Sequence, residues 1–242
     1  MKKEYYVMVE GVLRSIIVSD EETVLLAAKA AKRAVLGLYD QENFKTAPCG
    51  IPYLAERETP LTEEYLERII RRQEGLPWKI RETKRLVLRE MIPGDWGFLD
   101  DWTKEQFKGY EQFLAYIKNQ YPFYEYGMWS VVEKEGNVVI GTAGIHNPDP
   151  EAGLEPDALE IGYGIRHNFR RNGYGREAVE AVIRYSQEQF PYPLYARIRE
   201  ENIPSQILAV KCGFMALPEQ NGAKIVWYRY GQNWKSLPHN MG

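Results

Sequence analysis

Cysteine is scarce, with only Cys49 and Cys212 among 242 residues. They stand far apart, and neither has a second cysteine or a histidine at metal-ligand spacing, which argues against a disulfide framework and a zinc site. A surplus of positive charge is missing too: Lys+Arg 31 against Asp+Glu 34 leaves a formal net charge of −3. Without a basic field nothing holds a phosphate backbone by counterion release, so nucleic acid is not an expected partner. No apolar run approaches the ~18 residues that a membrane span needs, and Met1-Lys2-Lys3-Glu4 leads into mixed sequence rather than the apolar stretch of a signal peptide. The expectation is a cytoplasmic chain with no membrane attachment and no metal.

What is present suits a folded core: 44% hydrophobic and 27% charged residues lie far from the composition of disordered chains. The length suggests one domain and a smaller companion. In the first part, Ile16-Ile17-Val18 reads as a strand, and Ser19 or Asp20 can cap a helix running through Arg33, acidic at its start and basic at its end. Ala34 to Leu38 reads as another strand, and Tyr53-Leu54-Ala55 as a third. Thr62 can cap a helix with Leu66, Ile69 and Ile70 on one face. This is a small parallel α/β unit over residues 1–78, and Gly75-Leu76-Pro77-Trp78 reads as its exit linker.

Residues 79–242 open with the alternating strand Arg85 to Glu90 and two helical stretches within about 94 to 119. Met128 to Glu133 and Val138 to His146 flank the polar connection Lys134-Glu135-Gly136-Asn137 and read as a hairpin. A strand from Leu159 to Ile165, a helix from about Tyr174 to Gln187, a strand from Leu194 to Ile198, a helix from Pro204 to Cys212 and a strand around Ile225 to Tyr230 complete the pattern.

The stretch from Leu159 to Ala178 carries the most chemistry. A strand ends in Gly162-Tyr163-Gly164-Ile165-Arg166, and a loop holding Arg170, Arg171 and Asn172 leads to Gly173-Tyr174-Gly175-Arg176 at the start of a helix. Glycines let a pyrophosphate approach the backbone, and the free N–H groups of a first helical turn point at it with the helix dipole behind them. Gly173-x-Gly175-x-x-Ala178 also matches a dinucleotide fingerprint. That fingerprint needs a tight turn straight from the strand, whereas seven residues separate Ile165 from Gly173 here. The plainest alternative is a loop that merely ends in glycine beside a solvated arginine face.

These residues resemble a known family. Arg170-Arg171-Asn172-Gly173-Tyr174-Gly175 is similar to the Arg/Gln-x-x-Gly-x-Gly/Ala motif with which the GNAT family of N-acetyltransferases binds the pyrophosphate of acetyl-coenzyme A. Arg85-Leu86-Val87-Leu88-Arg89 resembles the opening strand of its RimJ/RimL-like branch, and Glu160-Ile161-Gly162-Tyr163 resembles its fourth strand. Asn202-x-x-Ser205 with Gly213-Phe214 resembles the turn, helix and strand that close the cofactor groove. The likeness spans about residues 83–231 and implies an α/β (α+β) fold, a mixed central sheet flanked by helices. It also implies acetyl-CoA as co-substrate and a small-molecule or peptide amine as acceptor. Ile17-Val18-Ser19-Asp20 and the run from Ala34 to Leu38 resemble the last part of haloacid-dehalogenase-type phosphatases, but the nucleophilic Asp-x-Asp pair is absent.

The resemblance implies that Gly164, Ile165 and Arg166 face the pantetheine arm and thioester oxygen, and that Arg170 through Arg176 cradle the pyrophosphate. Strand glycines at Gly162 and Gly164 suggest a bulge or a close backbone approach there. Glu160, ten residues before Arg170, occupies a general-base position on the face opposite Leu159 and Ile161; its plain alternative is a solvated strand carboxylate. Asn202 and Ser205 implicate the pantetheine amides, or simply a helix cap. Many family members carry a Tyr seven residues after this Asn as the acid that protonates coenzyme A, and this chain has Ala209. Most of the twelve aromatics between 96 and 129 should be core, in a region that borders the acceptor in the resembling fold. His146 is a candidate for the same pocket, while His167 and His239 fit no pattern. A non-catalytic acyl-CoA-sensing module and a dinucleotide enzyme remain as other classes, and a homodimer is an open expectation.

Overall fold

A computed structural model describes residues 2–40, 47–218 and 224–231; His239 lies outside them. The chain divides into two units, Met1–Trp78 and Lys79–Gly242.

The first unit is a four-stranded sheet, β1 (Lys3–Val9), β2 (Val12–Ser19), β3 (Ala34–Tyr39) and β4 (Leu54–Glu56), in that spatial order. β2, β3 and β4 run parallel, but β1 is an antiparallel partner of β2, so the sheet is mixed rather than purely parallel as expected. The turn between them, Glu10-Gly11, places both residues at positive φ (50° and 77°), the pairing that lets a two-residue hairpin follow the strand twist. Glu at its first position hides the turn from a reading that looks for Asn-Gly.

Helix α1 (Glu22–Ala30) is shorter than expected; its N-cap is Glu21, with no side-chain cap. The Ser19 hydroxyl accepts instead from the Glu21 N–H at 3.1 Å. Helix α2 (Glu63–Gln73) starts as anticipated, the Thr62 hydroxyl accepting from the Tyr65 N–H. Its Leu66, Ile69 and Ile70 are buried with Ile16, Val18, Leu36 and Leu38, and it ends at Gly75 (φ 73°).

The second unit adds β5 (Lys79–Glu82), β6 (Leu86–Glu90), α3 (Asp101–Phe107), α4 (Tyr110–Tyr124), β7 (Met128–Glu133), β8 (Val138–His146), β9 (Leu159–Ile165), α5 (Tyr174–Gln189), β10 (Leu194–Arg199), α6 (Ile203–Lys211), β11 (Phe214–Ala216) and β12 (Ile225–Tyr230). Its eight-stranded sheet has the order β11-β12-β10-β9-β8-β7-β6-β5. Strand β5, unforeseen in the sequence, pairs with β6 through an irregular register near Lys79. From β5 to β9 the strands form an antiparallel meander. A dinucleotide fold would need parallel strands here, so that alternative is excluded.

One face of the sheet is covered by α5, whose Ala178, Val179, Val182 and Ile183 are buried with Trp129, Ile140, Ile145 and Ile161. The alternation of strand side chains sends Met128 to the other face, where it meets a second cluster of Met91, Leu99, Phe113, Trp96 and Phe107. Fewer of the aromatics between 96 and 129 are core than expected: Phe113, Tyr121, Tyr126 and Trp129 are buried, whereas Phe98, Tyr110, Phe123 and Tyr124 are exposed.

Candidate active site

β9 and β10 run parallel only at Leu159↔Leu194 and Glu160↔Tyr195. Beyond that pair they separate, and β10 continues against β12 from Tyr195 to Arg199. A V-shaped gap therefore opens after Glu160, flanked by the rest of β9.

The strand glycines do not make the expected bulge. The β8–β9 register runs without a shift from His146↔Glu160 to Gly141↔Ile165; the close backbone approach requires glycine on the neighbouring strand instead, where a Cβ on Gly141 would lie 2.2 Å from the Gly164 carbonyl oxygen. Arg166 also departs from expectation. Its N–H donates to the Ile140 carbonyl (2.8 Å) and its side chain to that of Val139 (3.0 Å), so it ties the strand end to β8. Since backbone groups alternate sides along a strand, the N–H groups of Ile165 and Tyr163 are the ones that face the gap.

After β9 the chain makes a short 3-10 turn at His167–Phe169 and reaches α5 with Gly173 as its N-cap. Arg171 (φ 62°) and Gly173 (φ 81°) are left-handed, and such residues within a run of N–H groups shape an anion-binding concavity. No backbone N–H from Arg171 through Arg176 meets an acceptor among the described residues. The side chains do other work. Arg170 Nε donates to the Ile165 carbonyl (2.7 Å), Asn172 Nδ2 donates to the Arg170 carbonyl (3.2 Å), and Arg176 pairs along the helix with Glu180 (2.7 Å). The cradle is a backbone feature at the N-terminal end of a 16-residue helix, where the dipole favours an anion.

Glu160 is not the solvated carboxylate that its strand position allowed. It is 5% exposed, at the last paired position before the strands part. Oε1 lies 3.4 Å from Arg197 Nε and 3.8 Å from His146 Nε2, while Oε2 is buried without a hydrogen-bond partner among the described residues. Burial raises its pKa, and the charges of His146 and Arg197 work in the opposite direction. The result is a desolvated carboxylate at the head of the gap, the chemistry of a candidate proton acceptor. Gly162 beside it keeps the floor low, since a Cβ there would sit 3.0 Å from Met128 Sδ and 3.6 Å from His146 Nε2.

On the far wall, Asn202 is a cap: its Oδ1 accepts from the Ser205 N–H at 3.3 Å, at the start of α6. The Ser205 carbonyl accepts from the Tyr163 hydroxyl at 2.9 Å, so this phenol bridges β9 and α6, and burial pushes its pKa upward. Ala209 is fully buried. His146 stands beside Glu160, whereas His167 is exposed in the 3-10 turn. Sequence reading passed over Arg197 and Tyr163. Strand alternation from Glu160 and Tyr195 would have placed Arg197 on the carboxylate's face once β9 and β10 were paired in parallel.

The profile of the Acetyltransferase (GNAT) domain family matches residues 85–215, more than half of the chain, and the chain belongs to that family. The uncharacterised N-acetyltransferase YjdG of Bacillus subtilis (strain 168) is 28% identical over 88 residues, 36% of this chain. The match spans about half the length of that relative. An acetyltransferase structure from Agrobacterium tumefaciens str. C58 is similar in fold, with TM-score 0.50 and 22% identity over 63% of this chain and 94% of that one. RimL, a ribosomal L7/L12 alpha-N-protein acetyltransferase, aligns with TM-score 0.47 and 15% identity over 63% of this chain and 96% of that one.

Proposed function

We propose that residues 79–242 transfer the acetyl group of acetyl-CoA to a primary amine by direct attack of the amine on the thioester. The observation that carries this reading is Glu160: a buried carboxylate with an unpartnered oxygen, at the apex of a gap whose β9 wall leads straight into an open anion cradle. Family membership supplies the acetyl donor.

Deprotonation, charge stabilisation on the thioester oxygen and positioning of the donor each have a candidate group. The acceptor must lose a proton to become nucleophilic, and Glu160 takes it directly or through one water. The thioester oxygen gains charge as the tetrahedral centre forms, and strand N–H groups facing the gap at Tyr163 and Ile165 are suited to receive it. The N–H groups of Arg171 to Arg176 hold the pyrophosphate, which fixes the thioester along β9. Asn202 and Ser205 shape the opposite wall. The carbonyl carbon forms a bond to nitrogen and breaks its bond to sulfur; the amine proton goes to Glu160 and the electron pair leaves with the coenzyme A thiolate.

The acceptor is a small-molecule or peptide amine, and the reaction takes place in the cytoplasm. One observation favours a second reading, a module that senses acyl-CoA without turnover: residue 209 offers no hydroxyl to the leaving thiolate. For residues 1–78, which lack a nucleophile pair, we propose acceptor recognition, dimerisation or stabilisation rather than hydrolysis. The experiment that tests the main reading is a thermal shift with acetyl-CoA, coenzyme A and NAD, because only a ligand that prefers the folded state raises the melting temperature. The two acyl-carrier forms should raise it and NAD should not.

A further inference from the structure

The segment before β6 reaches the cradle from behind. Arg85 Nε pairs with Glu177 Oε2 at 2.7 Å, and the Arg85 N–H donates to Glu177 Oε1 at 2.8 Å. The Thr83 hydroxyl donates to that same oxygen at 2.7 Å. Glu177 stands in the first turn of α5, where a carboxylate also suits the helix dipole. Burial opposes ionisation there, yet the hydrogen bonds from Thr83 and Arg85 hold its carboxyl below the ordinary range. Glu177 thus fastens the guanidinium to the helix that carries the cradle.

The rest of the guanidinium acts on the loop. Arg85 Nη1 donates to the Asn172 carbonyl at 2.8 Å, and its Cζ lies 4.4 Å from the centroid of the Tyr174 ring. In a trans peptide the C=O and the following N–H point in opposite directions. Holding the Asn172 carbonyl toward Arg85 therefore turns the Gly173 N–H away from Arg85, and, like those of Tyr174 to Arg176, that N–H meets no acceptor among the described residues. Gly173 leaves room for this, because a Cβ there would lie 3.3 Å from Arg85 Nη2. The sequence-based reason for a glycine, space for the phosphate, is joined by a second: space for Arg85.

We propose that Arg85, locked to Glu177, is a positioning residue that pre-orients the Asn172–Gly173 peptide for the pyrophosphate of acetyl-CoA. This rests on the reading of the loop as the pyrophosphate site. Arg85 acts on an oriented backbone rather than on the reacting atoms, so its loss weakens a donor that carries pyrophosphate and spares one that does not.

The test uses the full chain with Arg85→Gln, Arg85→Lys and Thr83→Val, titrated with coenzyme A and assayed with acetyl-CoA and with S-acetylpantetheine, which has no phosphate. Arg85→Gln should raise the Kd for coenzyme A by about 10- to 100-fold, the scale of charge-assisted hydrogen bonds, and leave kcat/KM for S-acetylpantetheine unchanged. Arg85→Lys should fall between, since one ammonium cannot reproduce the guanidinium fork. Thr83→Val, which leaves Arg85 in place, should show a smaller loss in the same direction. If Arg85→Gln does not fold, the other two variants decide by the same comparison. Unchanged coenzyme A affinity, or an equal loss for both donors, overturns the proposal. Failure of the parent chain to bind coenzyme A overturns the underlying site reading instead.

Discussion

Arg197 Nε lies 3.4 Å from Glu160 Oε1 across the apex of the gap, although the two residues sit on different strands that pair at only two positions and part after Glu160. Burial raises the carboxyl pKa while Arg197 and His146 restrain the rise. A carboxylate base works only when ionised, so activity should fall as pH drops through this raised pKa, at a higher pH than an exposed glutamate would show. Replacing Arg197 with Gln removes a charge that favours the ionised form. The acid limb of the kcat/KM profile should then move further upward in pH. A limb that stays put, or moves down, means that Glu160 is not the titrating group.

Gly173→Val should abolish the rise in melting temperature that coenzyme A produces. The residue sits at φ 81°, where a β-branched side chain is strained, and its Cβ would press on Arg85. A variant that binds coenzyme A as well as the parent would place the cradle elsewhere.

Tyr121→Phe tests what holds the floor of the site. The Tyr121 hydroxyl donates to the Met128 carbonyl at 2.5 Å and accepts from the Met91 N–H at 3.0 Å. Both contacts are lost with the hydroxyl, leaving a buried donor unpaired at a cost of about 1–3 kcal/mol. Chemical denaturation should show that loss with the slope unchanged; a variant as stable as the parent would mean that other groups satisfy the Met91 N–H.

The first unit has its own buried cluster, including Val7, Ile16, Leu36, Ile69 and Ile70, and no Asp-x-Asp pair. A piece comprising residues 79–242 should still bind coenzyme A, and residues 1–78 should hydrolyse no phosphate ester. Measurable hydrolysis by the purified N-terminal piece would overturn this assignment.

The elements that were legible in the sequence are those whose local signals agree with their packing. β7, β8 and β9 could be drawn from alternation and turn residues, and α2 from Thr62 and its apolar stripe. β1 and β5 escaped because polar edge strands carry little burial signal: Lys3, Glu4 and Lys79 are all exposed. The cradle could be read because glycines and a helix start are local features. The burial of Glu160 and its neighbours Arg197 and His146 could not, since β8, β9 and β10 bring together residues far apart in the chain. The same holds for Arg85 and Glu177, which are 92 positions apart.

Glu160→Gln tests the central claim most directly. The substitution keeps the shape and removes the proton acceptor, and because the amide carries no charge to desolvate, the melting temperature at neutral pH should equal or exceed that of the parent. Affinity for acetyl-CoA should hardly change. With an accepted amine, release of coenzyme A thiol should slow by about 10²- to 10⁴-fold, and the deficit should shrink at high pH, where more of the amine is already neutral. A Glu160→Gln protein that releases thiol at the parent rate would contradict the account, as would a parent chain that binds acetyl-CoA yet acetylates no member of a broad amine panel.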